Sequence, residues 1–153
     1  MTEYRNAKPC GGALLMHDGR LLLVRRTIEP WRGRWDIPGG FCEEREHPMA
    51  AAERELEEET GVRGRAVRFL GMWIDEYVEG DGIVTLNAYY VCEPVGEPRG
   101  NTASGEVSEL GWFELDELPL DAISFPEHCV SVLCTLRAAL RDGSPGEPLR
   151  DRP

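Results

Sequence analysis

The sequence predicts an α/β fold in which a mixed β-sheet lies between two helices. Two stretches have helical spacing, residues 48–60 and 126–140, and strand-like runs precede and separate them. Those runs are short, rich in β-branched and aromatic residues, and punctuated by Gly, Pro and Asp turns. At 153 residues the chain is one domain by size, long enough to bury a core. The domain is expected to occupy residues 1–142, with 143–153, rich in Gly, Pro and charge, as a disordered tail.

Residues 11–16 and 20–26 are apolar runs around His17, Asp18 and Gly19, a hairpin signal. A loop rich in Pro, Trp, Gly and Arg follows over 27–34. Four arginines, Arg25, Arg26, Arg32 and Arg34, fall within ten residues just before Gly39 and Gly40. A guanidinium can hold a phosphate bidentately. Arg32 and Arg34 are the better candidates for substrate binding, because their loop leads straight to the glycines. Arg25 and Arg26 read equally well as solvated strand-end residues. Residues 35–40 (WDIPGG) read as a short strand closed by a Pro-Gly-Gly turn. Residues 65–76 and 83–92 alternate around a Glu-Gly-Asp-Gly turn and read as the two long strands of a hairpin. A polar loop spans 94–105, a strand around Trp112 and Phe113 spans 109–115, and 116–119 starts a short turn or helix. In the last helix Val130, Leu133, Leu136 and Leu140 recur near helical spacing.

The first helix carries the chemistry. Pro48 suits its first position, where a missing N–H has no partner to lose. Ala50, Ala51, Ala52 and Leu56 favour helix, and Gly61 suits a left-handed stop. At about 100° per residue, Glu55, Glu58 and Glu59 point into one arc, beside an apolar stripe of Met49, Ala52 and Leu56. Glu55 and Glu59 are i,i+4 like charges, so the arc asks for a counter-ion. Hard oxygen ligands next to a glycine turn suit Mg²⁺ or Mn²⁺. An acidic run by itself is most often a solvated face. Here the spacing narrows the reading.

The stretch 40–62, GFCEEREHPMAAAERELEEETGV, resembles the box of the Nudix hydrolase family. That box is Gly, five residues, Glu, seven residues, then Arg-Glu-apolar-any-Glu-Glu-any-Gly-apolar. Gly40, Glu46, Arg54, Glu55, Leu56, Glu58, Glu59, Gly61 and Val62 fill every place. Seven fixed residues at ~7% background each would coincide on the order of once in 10⁸ windows. The resemblance implies an α/β/α sandwich and a divalent-metal-dependent pyrophosphohydrolase. Such an enzyme cleaves a nucleoside diphosphate linked to another moiety, by attack of water on phosphorus. It implies Mg²⁺ (or Mn²⁺) held by Glu55, Glu58 and Glu59, with a carbonyl from Gly39 or Gly40. Glu46 and Arg54 occupy the places of a supporting ion pair. The general base varies within the family. It is either a box acid such as Glu55 or Glu58, or a loop acid, for which Glu106 is the candidate and Glu109 the fallback.

Tyr77 stands where, by the resemblance, dinucleoside polyphosphate hydrolases carry a tyrosine and ADP-ribose hydrolases a proline, and Trp31, Trp73, Tyr77 and Tyr89 could stack a base. The expected substrate is ADP-ribose or a related nucleotide sugar. Dinucleoside polyphosphate or nucleoside triphosphate hydrolysis, a non-catalytic nucleotide sensor, and a diphosphate isomerase using Cys42 are the alternatives.

A net charge of −11 argues against a large nucleic-acid footprint and leaves a small nucleotide as the expected partner. Five cysteines, odd in number and without a CxxC pair, read as reduced thiols of a cytoplasmic protein. No apolar run approaches the ~20 residues of a membrane span, and the first residues carry no apolar leader. A homodimer is compatible with the family.

Overall fold

The computed structural model describes residues 4–102 and 104–143, with the backbone alone of 147–148. Its strands are β1 (Lys8–His17), β2 (Arg20–Arg26), β3 (Trp35–Asp36), β4 (Gly39–Phe41), β5 (Gly64–Glu76), β6 (Val84–Pro94), β7 (Val107–Glu114) and β8 (Glu147–Pro148). Helix α1 spans Pro48–Thr60 and α2 spans Pro126–Arg141, with a 3₁₀ turn at Leu120–Ala122. The sheet runs β3-β2-β1-β6-β5-β8, with β4 also on β1 and β7 also on β2.

β1 is the pivot. Most of its length pairs parallel to β6, from Lys8 opposite Thr85 to Leu15 opposite Cys92. Its other edge takes β4 antiparallel, and its last two residues turn through Asp18 and Gly19, both at positive φ, into β2. This parallel pair among antiparallel ones makes the sheet mixed. Ala13 and Leu15 pack with Met49, Ala52 and Leu56 of α1, while Leu14 packs with Val132, Leu133 and Leu136 of α2. A strand covered on both faces must read as a continuous apolar run, which β1 does. This is the α/β/α sandwich that the sequence implies.

Helix α1 begins where His47 Nδ1 accepts the Met49 N–H at 3.0 Å, and it ends at Gly61, whose φ of 71° is left-handed. It lies directly on β1. A Cβ on Gly11 would stand 2.0 Å from the Pro48 carbonyl oxygen and 2.9 Å from the Ala52 nitrogen. Both obstacles are backbone, so neither can swing aside. Gly11→Ala should therefore destabilise the fold by more than about 3 kcal/mol, read as a lower urea midpoint. A midpoint within error of the parent would disprove this account of the contact.

One expectation is corrected. Residues 35–40 do not form one strand: the chain breaks at Ile37 and Pro38, so that β3 joins β2 and β4 joins β1. Pro38 has no N–H for a ladder, yet its carbonyl accepts from Ala13 at 2.8 Å and carries the chain across. Of the expected tail, Glu147 and Pro148 pair with Phe69 and Arg68 of β5, while 144–146 and 149–153 lie outside the described residues. No described helix is long and apolar enough to cross a membrane.

Candidate active site

A cleft of about 310 Å³ opens where β1, β4 and β6 pass between the start of α2 and the acidic face of α1. One side is acidic. Glu55 and Glu59 of α1, Asp36 at the end of β3, and Glu106 from the loop before β7 all line it, together with Gly39 and Gly40. At Gly40 a Cβ would sit 2.8 Å from Glu55 Oε1, so the glycine lets that carboxylate lie against the turn as it does.

The charges are set by burial and by one arginine. Burial, with Asp36 and Glu55 nearby, pushes the Glu59 carboxyl up to about 9, and the Gly39 N–H at 3.3 Å is its sole hydrogen-bond donor among the described residues. Burial likewise raises Glu55, opposed by Arg54. Burial raises Asp36 too, opposed by Arg26, whose Nη1 lies 2.9 Å from Asp36 Oδ2. Arg54 spends all five N–H donors here. Nε and Nη2 grip the two oxygens of Glu46 at 2.8 Å each, and Nη2 also reaches the Phe41 carbonyl at 3.2 Å. Nη1 is shared between Glu55 at 3.0 Å and Glu58 at 3.1 Å. Those bonds hold the Glu46 carboxyl below its ordinary range, and Glu46 in turn accepts the Glu43 N–H. Glu46 and Arg54 thus tie the loop after β4 to the helix.

The other side of the cleft is aromatic and polar. Tyr77 stacks on Phe125, with ring centres 5.6 Å apart and planes at 29°, and Phe41 leans on Tyr77. Below them, His128 bridges Asp75 Oδ2 at 2.6 Å and the Tyr89 hydroxyl at 2.8 Å. Asn87 and Thr85 complete the wall. Cys10 also lines the cleft, but burial pushes its thiol up to about 12, which leaves it a poor nucleophile.

This site can be compared with known proteins. The family model described as NUDIX domain matches residues 9–131. The chain belongs to the Nudix family. A hydrolase of CMP-5'-(N-acetyl-N-hydroxy-3-aminopropyl)phosphonate from Streptomyces rubellomurinus is 38% identical over 121 residues, covering 76% of this chain and 57% of the relative. An ADP-ribose pyrophosphatase from Methanocaldococcus jannaschii is 29% identical over 107 residues, covering 69% and 61%. The chain therefore spans about three fifths of the length of these curated relatives. A crystal structure of a Nudix hydrolase from Nitrosomonas europaea superposes with a TM-score of 0.79 at 23% identity, covering 94% of this chain and 77% of that one. At that identity the match speaks for the fold alone.

Of the residues expected in a Nudix site, the structure brings Gly39, Gly40, Glu55, Glu59, Tyr77 and Glu106 into the cleft. Glu58, 56% exposed and held by Arg54, stands outside its lining. Arg32 and Arg34 stand outside the cleft lining. The 27–34 loop folds back through Gly33 N–H to Arg26 O, so Arg32 sits exposed beside Glu29 while Arg34 lies over Trp31. Arg26 is the arginine that lines the cleft, because a bulge between Arg25 and Arg26 turns it inward. Glu109 is taken up by Arg25 at 3.0 Å, whereas the Glu106 carboxylate has no hydrogen-bond partner among the described residues. Of the proposed stacking aromatics, Tyr77 and Tyr89 face the cleft. Trp73 donates to Ser131 on α2, and Trp31 meets the edge of Phe125. Sequence reasoning missed Phe41, Phe125, Asp75, Asn87 and His128. Lone polar residues in apolar strands carry no spacing signal. Phe125 was readable only as the residue before a helix-opening proline.

Proposed function

We propose that this Nudix chain hydrolyses a pyrophosphate within a nucleoside diphosphate derivative, using a divalent cation, Mg²⁺ or Mn²⁺. The observation that carries the reading is Glu59. It is a half-buried carboxylate beside Glu55 and Asp36, with one backbone N–H as its only donor among the described residues. Such a group, in an all-oxygen setting where Gly40 leaves room for Glu55, fits a hard cation. No three acidic, histidine or cysteine side chains among the described residues already converge as a finished ligand set. Glu58 would have to leave Arg54 to join Glu55 and Glu59, with a Gly39 or Gly40 carbonyl beside them. A bound cation supplies positive charge for the pyrophosphate oxygens and lowers the pKa of water.

The chain's own residues do the rest. Glu106, which lines the cleft, would take the proton from the attacking water as the new P–O bond forms and the anhydride P–O bond breaks. Arg54 keeps Glu55 in place, Arg26 offers a cation to the cleft, and Tyr77 and Phe125 offer a flat apolar surface. The name of the archaeal relative supports ADP-ribose, or a related nucleotide sugar, as substrate.

The test is turnover of ADP-ribose, nucleotide sugars, NADH, diadenosine polyphosphates and nucleoside triphosphates with Mg²⁺ or Mn²⁺, coupled to phosphatase and read as released phosphate. One substrate should turn over, and Glu55→Gln should reduce kcat by about 100-fold or more. Metal-dependent binding of a nucleotide without turnover of any would overturn the reading. Within the same assay, Glu106→Gln should reduce kcat by about 10²–10⁴ with little change in KM, while Glu109→Gln stays near the parent. The reverse pattern would transfer the base role to Glu109.

A further inference from the structure

Resting on the pyrophosphate reading above, the cleft has a second charged pole that the acidic face does not explain. Arg26 is the only arginine or lysine among the described residues that line it. The side chain is 15% exposed, and its guanidinium is restrained from three directions. Nε donates to the Pro30 carbonyl at 2.7 Å, Nη1 donates to Asp36 Oδ2 at 2.9 Å, and the central carbon lies 5.3 Å from the centre of the Phe125 ring. Asp36 is itself held, because its other oxygen accepts the Ile37 N–H at 2.8 Å.

Nη2 is left over. Neither of its protons has a partner among the described residues. Nor is it one of their sealed-off unpartnered atoms, of which Ser124 Oγ is the only one. It therefore keeps an opening, and the space that Arg26 lines is the cleft. Glu106 is the nearest candidate to fill it from within the chain. Strand pairing sets Arg26 opposite Val107, the next residue, and the Thr27 N–H donates to the Glu106 carbonyl at 3.0 Å. Even so, the Arg26 guanidinium pairs with Asp36 and forms no ion pair with Glu106 among the described residues. Glu55 and Glu59 thus call for a cation, while Arg26 holds donors ready for an anion. A diphosphate carrying its divalent cation answers both poles at once.

The ring beside the guanidinium is held at a cost. Phe125 has φ 47° and ψ 54°, a left-handed conformation that an aromatic residue adopts only where its surroundings impose it. The Cys129 N–H on its carbonyl at 2.9 Å and the stacked Tyr77 ring supply that constraint.

We propose that Arg26 is a phosphate-binding residue of this cleft, whose Nη2 holds non-bridging oxygens of the substrate's diphosphate, and that Phe125 is the positioning residue that fixes its guanidinium there.

The test is calorimetric binding of α,β-methylene-ADP and of methylenediphosphonate to the intact chain with Mg²⁺. The bridging carbon prevents hydrolysis, and the second probe has no base to stack. Arg26→Lys keeps a cation beside Asp36 but has no Nη2, and should weaken both probes about 10-fold or more, as loss of a charged hydrogen bond does. Its melting temperature, and the rise that Mg²⁺ alone produces, should stay near the parent's, which separates lost contact from lost structure. Phe125→Leu should weaken methylenediphosphonate about 3-fold, although that probe has nothing to lay on the ring. Failure of the parent to bind either probe, or parent-like affinities in Arg26→Lys, would overturn the proposal, and an unchanged methylenediphosphonate affinity in Phe125→Leu would overturn the role of Phe125. Should Arg26→Lys not fold, Arg26→Gln combined with Asp36→Asn, which leaves no carboxylate unpaired, decides in its place. A chain that binds both probes through Arg26 but hydrolyses nothing keeps this inference and loses the hydrolase reading. Turnover with parent-like KM and kcat in Arg26→Lys does the reverse.

Discussion

Replacing Arg54 by alanine will lower the melting temperature by about 10 °C, a larger loss than any other single surface-proximal substitution on α1. The guanidinium is only 24% exposed, and Glu46, gripped at both oxygens, is 13% exposed. Removing one partner of such a pair leaves a carboxylate largely out of water, at a cost of about 3 kcal/mol. For a domain of this size each kcal/mol shifts the midpoint by roughly 2–4 °C. Arg54→Lys keeps the charge but cannot form the fork, and should recover less than half of the loss. The pH dependence follows from the lowered Glu46 carboxyl. A depressed acid contributes stability that is present above its unfolded value of 4.5 and lost as pH falls through the folded one. The parent should therefore weaken below about pH 4.5 more steeply than Arg54→Ala. Circular dichroism melts from pH 3 to 7 would read both effects, and a shift under about 2 °C at pH 7 would refute the argument.

Glu59→Gln should separate stability from activity. In metal-free buffer the folded chain holds the Glu59 proton up to about pH 9, while the unfolded chain releases it near 4.5. Between those values the unfolded state binds fewer protons, so stability falls as pH rises. Glutamine carries no such charge, so in EDTA at pH 8 the variant should melt above the parent, with a flatter pH profile. Added Mg²⁺ should raise the parent's midpoint and leave that of the variant nearly unchanged. Activity should fall by about 100-fold or more in the same variant. A parent whose metal-free stability rises between pH 6 and 9 would contradict the burial of this carboxylate.

The acidic half of the site was legible because it lies on one helix, where i, i+3 and i+4 spacing places Glu55, Glu58 and Glu59 on a single face without tertiary information. The two helices and the long β5–β6 hairpin were legible for the same reason, being periodic over ten residues or more. What escaped was set by contacts between distant segments. Arg26 and Arg34 differ in sequence by eight positions, but a bulge and a folded-back loop decide which of them meets the cleft. Asp75, Asn87 and His128 come from β5, β6 and α2, and nothing in one strand tells that the other two will meet it. The break at Pro38 follows from two competing sheet edges, a choice invisible to alternation alone.

The passage of α1 over β1 divides the labour of the molecule. Gly11, Gly39 and Gly40 form a window without side chains through which helix, strand and acid approach one another, and a methyl group at any of them collides with backbone or with Glu55. That half has almost no freedom to be reshaped. The facing wall hangs on β6 and the first turn of α2, which share none of those glycines. Substrate preference can therefore be reprogrammed on one wall while the reaction chemistry is inherited intact on the other.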